Sequence, residues 1–557
     1  MVGVYMDAMK CYTAWCDRLK DDAEYTDELM QLSDAQILEG FSCELAFGTG
    51  GMRGIIGMGP NRLNDLTVSR ITRAVGRYLQ GTQLPQVVAI AYDTRKFSKR
   101  FAELAAQTLE RMGIKAYVFK EATPTPVLSF AVDAMKAGLG IVITASHNPP
   151  QYNGYKVYDH RGVQINPDVA EKVTDYYNQE DIFDYKKEAV GQIHYMDDSI
   201  LDQYVAKVEH LLCPNKERSI NLSVVYTALH GTGSQPVSAL LQKMGYQTTL
   251  IQQNPDSNFG GLASPNPESR DAYVEAIKEA KEKGADLILA TDPDADRVGV
   301  LVVVGDDYRF LNGNQIAGIL MHHLIKDGGK KQAVVTTVVS GELAQTIAKE
   351  HGIMVNTTLT GFKYIGDLAH KYQQGHDVAF LFGYEESYGY LTGDFVHDKD
   401  AVIAALLIAE VAAKYKADGK NLYDVWEELS HEYGWFVEEL YTVNLPIVDC
   451  ASRSKAIMGQ LRGGNVDKVG DFTILSTEDY KMGTKTCQGQ VTPLEGYPVS
   501  DVLKLHFDKH AWVAVRPSGT EPKIKLYFSA HADDEQNARA TLAGIKEAFL
   551  RLLSDHI

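Results

Sequence analysis

Cysteine is scarce in this chain. There are six in 557 residues (Cys11, Cys16, Cys43, Cys213, Cys450 and Cys487), none of them in a CxxC pair. Neither a disulfide framework nor a cysteine zinc site is expected. Long apolar runs are missing too. The longest, AVIAALLIAEVAA from Ala401 to Ala413, contains Glu410 and is too short to span a bilayer. The opening MVGVYMDAMKCYTAWCDRLKDD lacks a basic stretch followed by an apolar core, so no signal peptide and a cytoplasmic location are expected. Basic residues are in deficit, 55 Lys and Arg against 73 Asp and Glu, for a formal charge of −18. That argues against a general nucleic-acid or anionic-membrane surface. It leaves room for an anionic small molecule in a pocket whose local field opposes the net charge. What remains is an ordinary globular composition, 45% hydrophobic, in a chain too long for one core. Three or four domains are expected.

One pattern occurs three times. QVVAIAYDT (Gln86 to Thr94) reads as a strand, followed by a helix with Phe101, Leu104, Ala105, Leu109 and Met112 on one face and Gly113 at its end. IKAYVF and GLGIVITASHN complete the unit. The second copy runs from LSVVYTAL through a helix opening near Pro236 and stopping at Gly245, then YQTTLI and ADLILATDPDADR. The third has AVVTTVVS, a helix marked by Leu343, Ala344 and Ile347 and closed by Gly352, then IMVNTTL and DVAFLFGYEES. Alternating strands and helices predict α/β domains with largely parallel sheets. In each copy an apolar strand runs into a polar signature, where such sheets place their ligands. Three domains would then each aim one signature at a shared cleft. After Trp435 the pattern changes to a smaller α+β domain with a closing helix near Glu535 to Leu553.

The signatures differ in strength. DPDADR (Asp292 to Arg297) crowds three carboxylates, which suits a hard cation such as Mg²⁺ better than a solvated acidic turn. It is no calcium loop, since its sixth and twelfth positions are Arg297 and Val303. RPSGTEP (Arg516 to Pro522) offers a guanidinium, hydroxyls and backbone amides to a phosphate, with a plain hairpin turn as the equal alternative. GYEES (Gly383 to Ser387) suits sugar hydroxyls or a helix cap. The lysine of LTGFKYIGDL is either a substrate contact or an ordinary surface residue. FGTGGMRGIIG lacks dinucleotide spacing and reads as a glycine-rich loop presenting Arg53 to an anion, or as a structural turn. TASHNPPQYNGYK places Ser146, a nucleophile or a mere cap, beside His147, which an extended segment would point away from it.

Together, TASHNP, DPDADR, GYEES and RPSGTEP resemble, in order, the four signatures of the alpha-D-phosphohexomutase superfamily. The resemblance spans the whole chain. It implies three similar α/β domains with mixed sheets plus a smaller C-terminal α+β domain, all around a central cleft. The boundaries expected are 1–205, 206–325, 326–436 and 437–557. Ser146 matches the phosphorylated serine. Asp292, Asp294 and Asp296, with a phosphoserine oxygen on Ser146, match the Mg²⁺ ligands. Arg297 and Arg53 match active-site arginines, and Lys156 a general acid/base, whose pKa burial beside arginines would lower. Glu385 and Ser387 match sugar-gripping residues, and Arg516, Ser518, Gly519 and Thr520 the loop for the non-reacting phosphate.

Departures bear on the substrate. Pro293 and Tyr384 stand where many relatives have glycine. TGFK (Thr360, Gly361, Lys363) and HDKDA are similar to the phosphoglucomutase and phosphopentomutase branch, which adds Lys399 as a rival acid/base. The expected activity is interconversion of glucose 1-phosphate and glucose 6-phosphate, with glucose 1,6-bisphosphate as intermediate and activator. Pentose-phosphate mutation, bisphosphate synthesis and sugar-phosphate sensing are the alternatives. Small sugar phosphates are the expected partners, with no nucleic acid and no membrane, in a monomer or weak homodimer.

Overall fold

The computed structural model describes residues 2–48, 50–184, 193–212, 221–325, 331–375, 377–446, 450–463, 467–518 and 523–554. It forms two compact units. The first is Met1–Leu311 with Ile365–His376 and Ser387–Asn421. The second is Asn312–Tyr364, Asp377–Glu386 and Leu422–Ile557.

The first unit holds two sheets. One contains β1 (Gly51–Ile55), β2 (Val87–Tyr92), β3 (Lys115–Val118), β4 (Leu139–Ile143), β5 (Tyr152–Asp159) and β6 (His194–Tyr195), in the order β1-β5-β4-β2-β3-β6. The other contains β7 (Ser223–Thr227), β8 (Gln247–Ile251), β9 (Leu287–Thr291), β10 (Val298–Val304) and β11 (Asp307–Leu311), in the order β11-β10-β9-β7-β8. In both, three parallel strands meet an antiparallel fourth: β3-β2-β4 with β5, and β8-β7-β9 with β10. The sheets are therefore mixed. Every residue of β4 and β9 is buried, as expected of central strands covered on both faces.

The second unit repeats the parallel triplet. β12 (Lys331–Thr337) lies between β13 (Met354–Thr358) and β14 (Val378–Glu385). The short β15 (Gly389–Leu391) follows in the chain. The helices Ser98–Arg111, Ser234–Lys243 and Leu343–Glu350 connect the first two strands of each triplet, and the glycines 113, 245 and 352 after them take positive φ. The threefold pattern read from the sequence is thus one topology used three times.

The C-terminal sheet is antiparallel throughout. It comprises β16 (Trp435–Asn444), β17 (Lys468–Val469), β18 (Phe472–Asp479), β19 (Thr484–Cys487), β20 (Gln490–Pro493), β21 (Leu503–Phe507), β22 (Ala511–Pro517) and β23 (Lys523–Ala532). Its order is β16-β23-β22-β21-β18-β19-β20, with β17 on β18. The helix Glu535–Leu552 packs on β16 and β23. The apolar run at Ala401 is the helix Ala401–Ala417, buried on nearly every side. Among the described residues, no helix is long and apolar enough to cross a membrane.

Candidate active site

In the first unit the chain leaves β4 at Ile143 and reverses at Ser146, a buried residue in the left-handed region at φ 51°. Its amide donates to Thr144 Oγ1 at 2.8 Å, and its hydroxyl donates to Asp292 Oδ2 at 2.6 Å. The segment is therefore not extended. The left-handed turn brings His147 Nδ1 to 3.3 Å from Ser146 Oγ, correcting the expectation that the ring points away.

Asp292 follows β9 directly and fastens its own loop, since its Oδ1 accepts the amides of Asp296 and Arg297, both at 3.0 Å. With Ala295 also left-handed at φ 52°, the turn gathers Asp292, Asp294 and Asp296 so that one oxygen of each lies within 4.8 Å of the others. All three are buried. Lys156, on β5, donates to Asp294 Oδ2 at 2.8 Å and Asp296 Oδ2 at 3.2 Å. Lys399 Nζ lies 3.0 Å from Asp296 Oδ2. Its loop is held by Asp398, which accepts from the Tyr158 hydroxyl at 2.6 Å, and by Asp400, which caps the helix Ala401–Ala417. Arg297 donates to Glu268 Oε1 at 2.7 Å while its Nε stays 3.9 Å from Asp296. Arg53 donates to Asn148 Oδ1 at 2.8 Å, from strand β1 rather than from a loop. The Pro293 carbonyl accepts from the Thr232 amide and hydroxyl at 2.8 and 2.9 Å.

Charge in this cluster nearly balances. Burial, then Asp294 and Asp296, push the Asp292 carboxyl well above its ordinary range. Burial also raises Asp296, yet Lys399, Lys156 and Arg297 hold it below that range. Burial alone would lower the Lys156 pKa, but Asp294 and Asp296 raise it. The lowered value expected from neighbouring arginines is thus reversed, because its partners are carboxylates. Two buried oxygens, Asp294 Oδ1 and Asp296 Oδ1, accept no hydrogen bond among the described residues. An all-oxygen donor set with two unsatisfied carboxylate oxygens fits a hard divalent cation.

The second unit carries the other candidates. Lys363 lies in the first turn of the helix Phe362–Gln374, just after Thr360 and Gly361, and is buried rather than a surface lysine. Burial, then the charge of Arg516, lower its pKa to about 8. Arg516 sits on β22 opposite Lys525 of the antiparallel β23, and the Ser518 amide donates to the Lys523 carbonyl at 2.9 Å. Gly519 and Thr520 lie outside the described residues. Glu385 ends β14 and is buried, so GYEES leads out of a strand and caps no helix. Tyr384 is fully buried, its hydroxyl donating to the Gly341 carbonyl at 3.1 Å. Ser387, two residues beyond Glu385, falls in the first unit and is half-buried.

Comparison with known proteins follows this geometry. Four phosphoglucomutase/phosphomannomutase family descriptions match in order: alpha/beta/alpha domain I at residues 44–183, domain II at 202–305, domain III at 312–433, and the C-terminal domain at 477–542. The chain belongs to the phosphoglucomutase/phosphomannomutase family. A phosphoglucomutase of Staphylococcus epidermidis is 35% identical over 534 residues, 93% of this chain and 96% of that protein. A solved structure from Thermus thermophilus superposes with a TM-score of 0.69 at 24% identity, over 91% of this chain and 99% of that one. A phosphoglucomutase/phosphomannomutase family protein from Burkholderia thailandensis gives 0.66 at 20% identity, over 92% and 97%. These two likenesses concern the fold.

Several residues that support this site lie outside the four signatures. Asp93 and Arg95 lie behind the serine loop, Glu268 holds Arg297, and Tyr158 and Asp398 hold the Lys399 loop. YDTR at the end of β2 was the available signal: an acid and an arginine beyond a buried strand, as with the other signatures.

Proposed function

We propose that this family member is a Mg²⁺-dependent phosphoglucomutase that interconverts glucose 1-phosphate and glucose 6-phosphate through a phosphoserine at residue 146 and glucose 1,6-bisphosphate. The observation that carries this reading is the 2.6 Å hydrogen bond from Ser146 Oγ to Asp292, beside the two unsatisfied oxygens of Asp294 and Asp296. A relative named phosphoglucomutase, 35% identical over most of the chain, supports the choice of glucose.

Asp292, Asp294, Asp296 and the phosphoserine oxygen would hold the Mg²⁺, which when bound offsets phosphoryl charge. In the first half-reaction the bond between phosphorus and Ser146 Oγ breaks as the free sugar hydroxyl bonds to phosphorus. The hydroxyl gives up its proton and Oγ regains one, with Lys156 and Lys399 placed as carriers. Arg297 and Arg53 add positive charge beside the transferring group, where stabilisation of phosphoryl oxygens does most of the work. After the bisphosphate turns over, its other phosphate returns to Ser146. Arg516, Ser518, Gly519 and Thr520 hold the phosphate that is not reacting, Lys363 with Thr360 and Gly361 adds a cationic contact, and Glu385 and Ser387 take sugar hydroxyls.

Initial rates with Mg²⁺ on glucose 1-phosphate, mannose 1-phosphate and ribose 1-phosphate test this, each with and without the matching bisphosphate. The expected result is a strong preference for glucose 1-phosphate, raised by glucose 1,6-bisphosphate. A preference for ribose 1-phosphate moves the reading to a pentose mutase. Bisphosphate accumulating without isomerised product makes it a synthase.

A further inference from the structure

We infer that Arg95, with Asp93 as its anchor, is a positioning residue that holds Ser146 in the left-handed conformation its hydroxyl needs; this rests on the phosphoserine reading above. The loop between β4 and β5 closes on itself through the Asn148 amide to the Ala145 carbonyl at 3.1 Å and the Tyr152 amide to the Pro149 carbonyl at 3.0 Å. Pro149 and Pro150 donate no backbone hydrogen bond, and Ser146 at φ 51° sits in a left-handed conformation that is unfavourable for a non-glycine residue. One guanidinium compensates. Arg95 Nη2 donates to the carbonyls of Ser146 and Asn148, and Nη1 donates to those of Pro149 at 2.9 Å and Tyr152 at 3.1 Å. Four carbonyls, three from the loop and one from the first residue of β5, converge on one planar group.

The guanidinium is itself fixed. Its Nε lies 3.2 Å from Asp93 Oδ2, and both side chains are fully buried. The Phe259 ring lies 4.8 Å away. Asp93 also accepts from Ser98 Oγ at 2.6 Å, from the Arg95 amide at 2.9 Å, and from Thr144 Oγ1 at 2.6 Å. Thr144 Oγ1 in turn accepts the Ser146 amide. Asp93 therefore governs both sides of the serine: its amide through Thr144 and its carbonyl through Arg95. With the backbone held on both sides, Ser146 Oγ lies 2.6 Å from Asp292 Oδ2. A lysine cannot substitute. Its ammonium is a point donor, whereas four diverging carbonyls need the planar fork.

A structural strut and a positioning device differ in what they leave intact. The test compares wild type with Arg95→Lys and Thr144→Val. It measures thermal unfolding, kcat and KM on glucose 1-phosphate, Mn²⁺ affinity, and the rate at which glucose 1,6-bisphosphate phosphorylates Ser146, followed by quenched intact mass. The expected result is a folded Arg95→Lys protein with Mn²⁺ affinity and KM within threefold of wild type. Its kcat and Ser146 phosphorylation rate should both fall about 100-fold, the scale of a misplaced reacting group. Thr144→Val, which leaves the Asp93–Arg95 pair in place, should lower the same two rates in the same direction. Wild-type phosphorylation rates in both variants would overturn the inference. So would a uniform loss of folding, metal binding and KM. A wild-type protein that never phosphorylates Ser146 from the bisphosphate would instead sink the phosphoserine reading, and this inference with it.

Discussion

Ser146 has one short hydrogen bond from its hydroxyl and a strained backbone, and both matter to what its removal does. Ser146→Ala keeps the turn but deletes the acceptor of the phosphoryl group, so kcat should fall by at least ~10³-fold, the scale for losing a nucleophile that works with its neighbours. Near-normal turnover in that variant would remove Ser146 from the mechanism. Lys363 gives a prediction in pH. It is an ammonium below about 8 and a neutral amine above it. A phosphate monoester is already dianionic there, its second pKa being about 6. KM should therefore be flat between about pH 7, where the phosphate is fully charged, and pH 8, and rise above it, and Lys363→Arg should abolish the rise. A flat profile in the wild type would end its role as a phosphate contact. At this scale the sequence revealed residue types better than surroundings. Three aspartates in five positions announced a cation site, and TASHN a special serine. The Lys156 partners could not be read, because Asp294 lies 138 residues away and only folding makes it a neighbour. Nor could His147, whose direction depends on one positive φ.

Strand ends and turns decide where these groups point. Gly154, in the middle of β5, shows how tight the fit is: a Cβ there would lie 2.4 Å from the Thr144 carbonyl oxygen and 2.9 Å from that of Met52. Gly154→Ala must push β5 away from both, moving Lys156 two residues on and the threonine that ties down Ser146. It should cost about 1–3 kcal/mol, as overpacking does, read as a lower urea midpoint, and lower kcat as well. Unchanged stability would show that the strands can separate freely. The antiparallel pair β22–β23 makes the opposite case. Arg516→Ala should fold normally and raise KM about tenfold or more, as expected for one lost charged hydrogen bond. An unfolded variant would return RPSGTEP to a purely structural turn. The three-strand repeat was legible because buried parallel strands are almost wholly apolar, and Gly113, Gly245 and Gly352 punctuate the helices between them. The edge strands β1 and β11 were not read out, because short strands without a clear alternation look like loops.

Across the whole molecule, folding and metal binding should be linked. The three carboxylates gather only in the folded chain, so a cation they bind favours the native state by mass action, about 2.7 kcal/mol at a hundredfold excess over Kd. Adding Mg²⁺ should raise the melting temperature of the wild type, chelator should reverse the rise, and Asp294→Ala should show neither effect. A melting temperature indifferent to Mg²⁺ would argue that the triad is no cation site. Four domains and their order were readable from the signatures. The N-terminal helices were not. Their small core of Trp15, Tyr25, Leu29, Ile37 and Phe41 carries no motif, only packing.

The candidate residues divide between the two units in a telling way. Ser146, Lys156, Lys399 and the aspartates belong to the first, while Thr360, Lys363, Glu385 and Arg516 belong to the second. The groups assigned to bond making thus sit on a different unit from most of those assigned to recognition. For a protein engineer this is a natural seam. Loops around Lys363 and Arg516 can be grafted from a relative with another sugar preference while the chemistry is left untouched, so selectivity could be retuned without rebuilding the reaction.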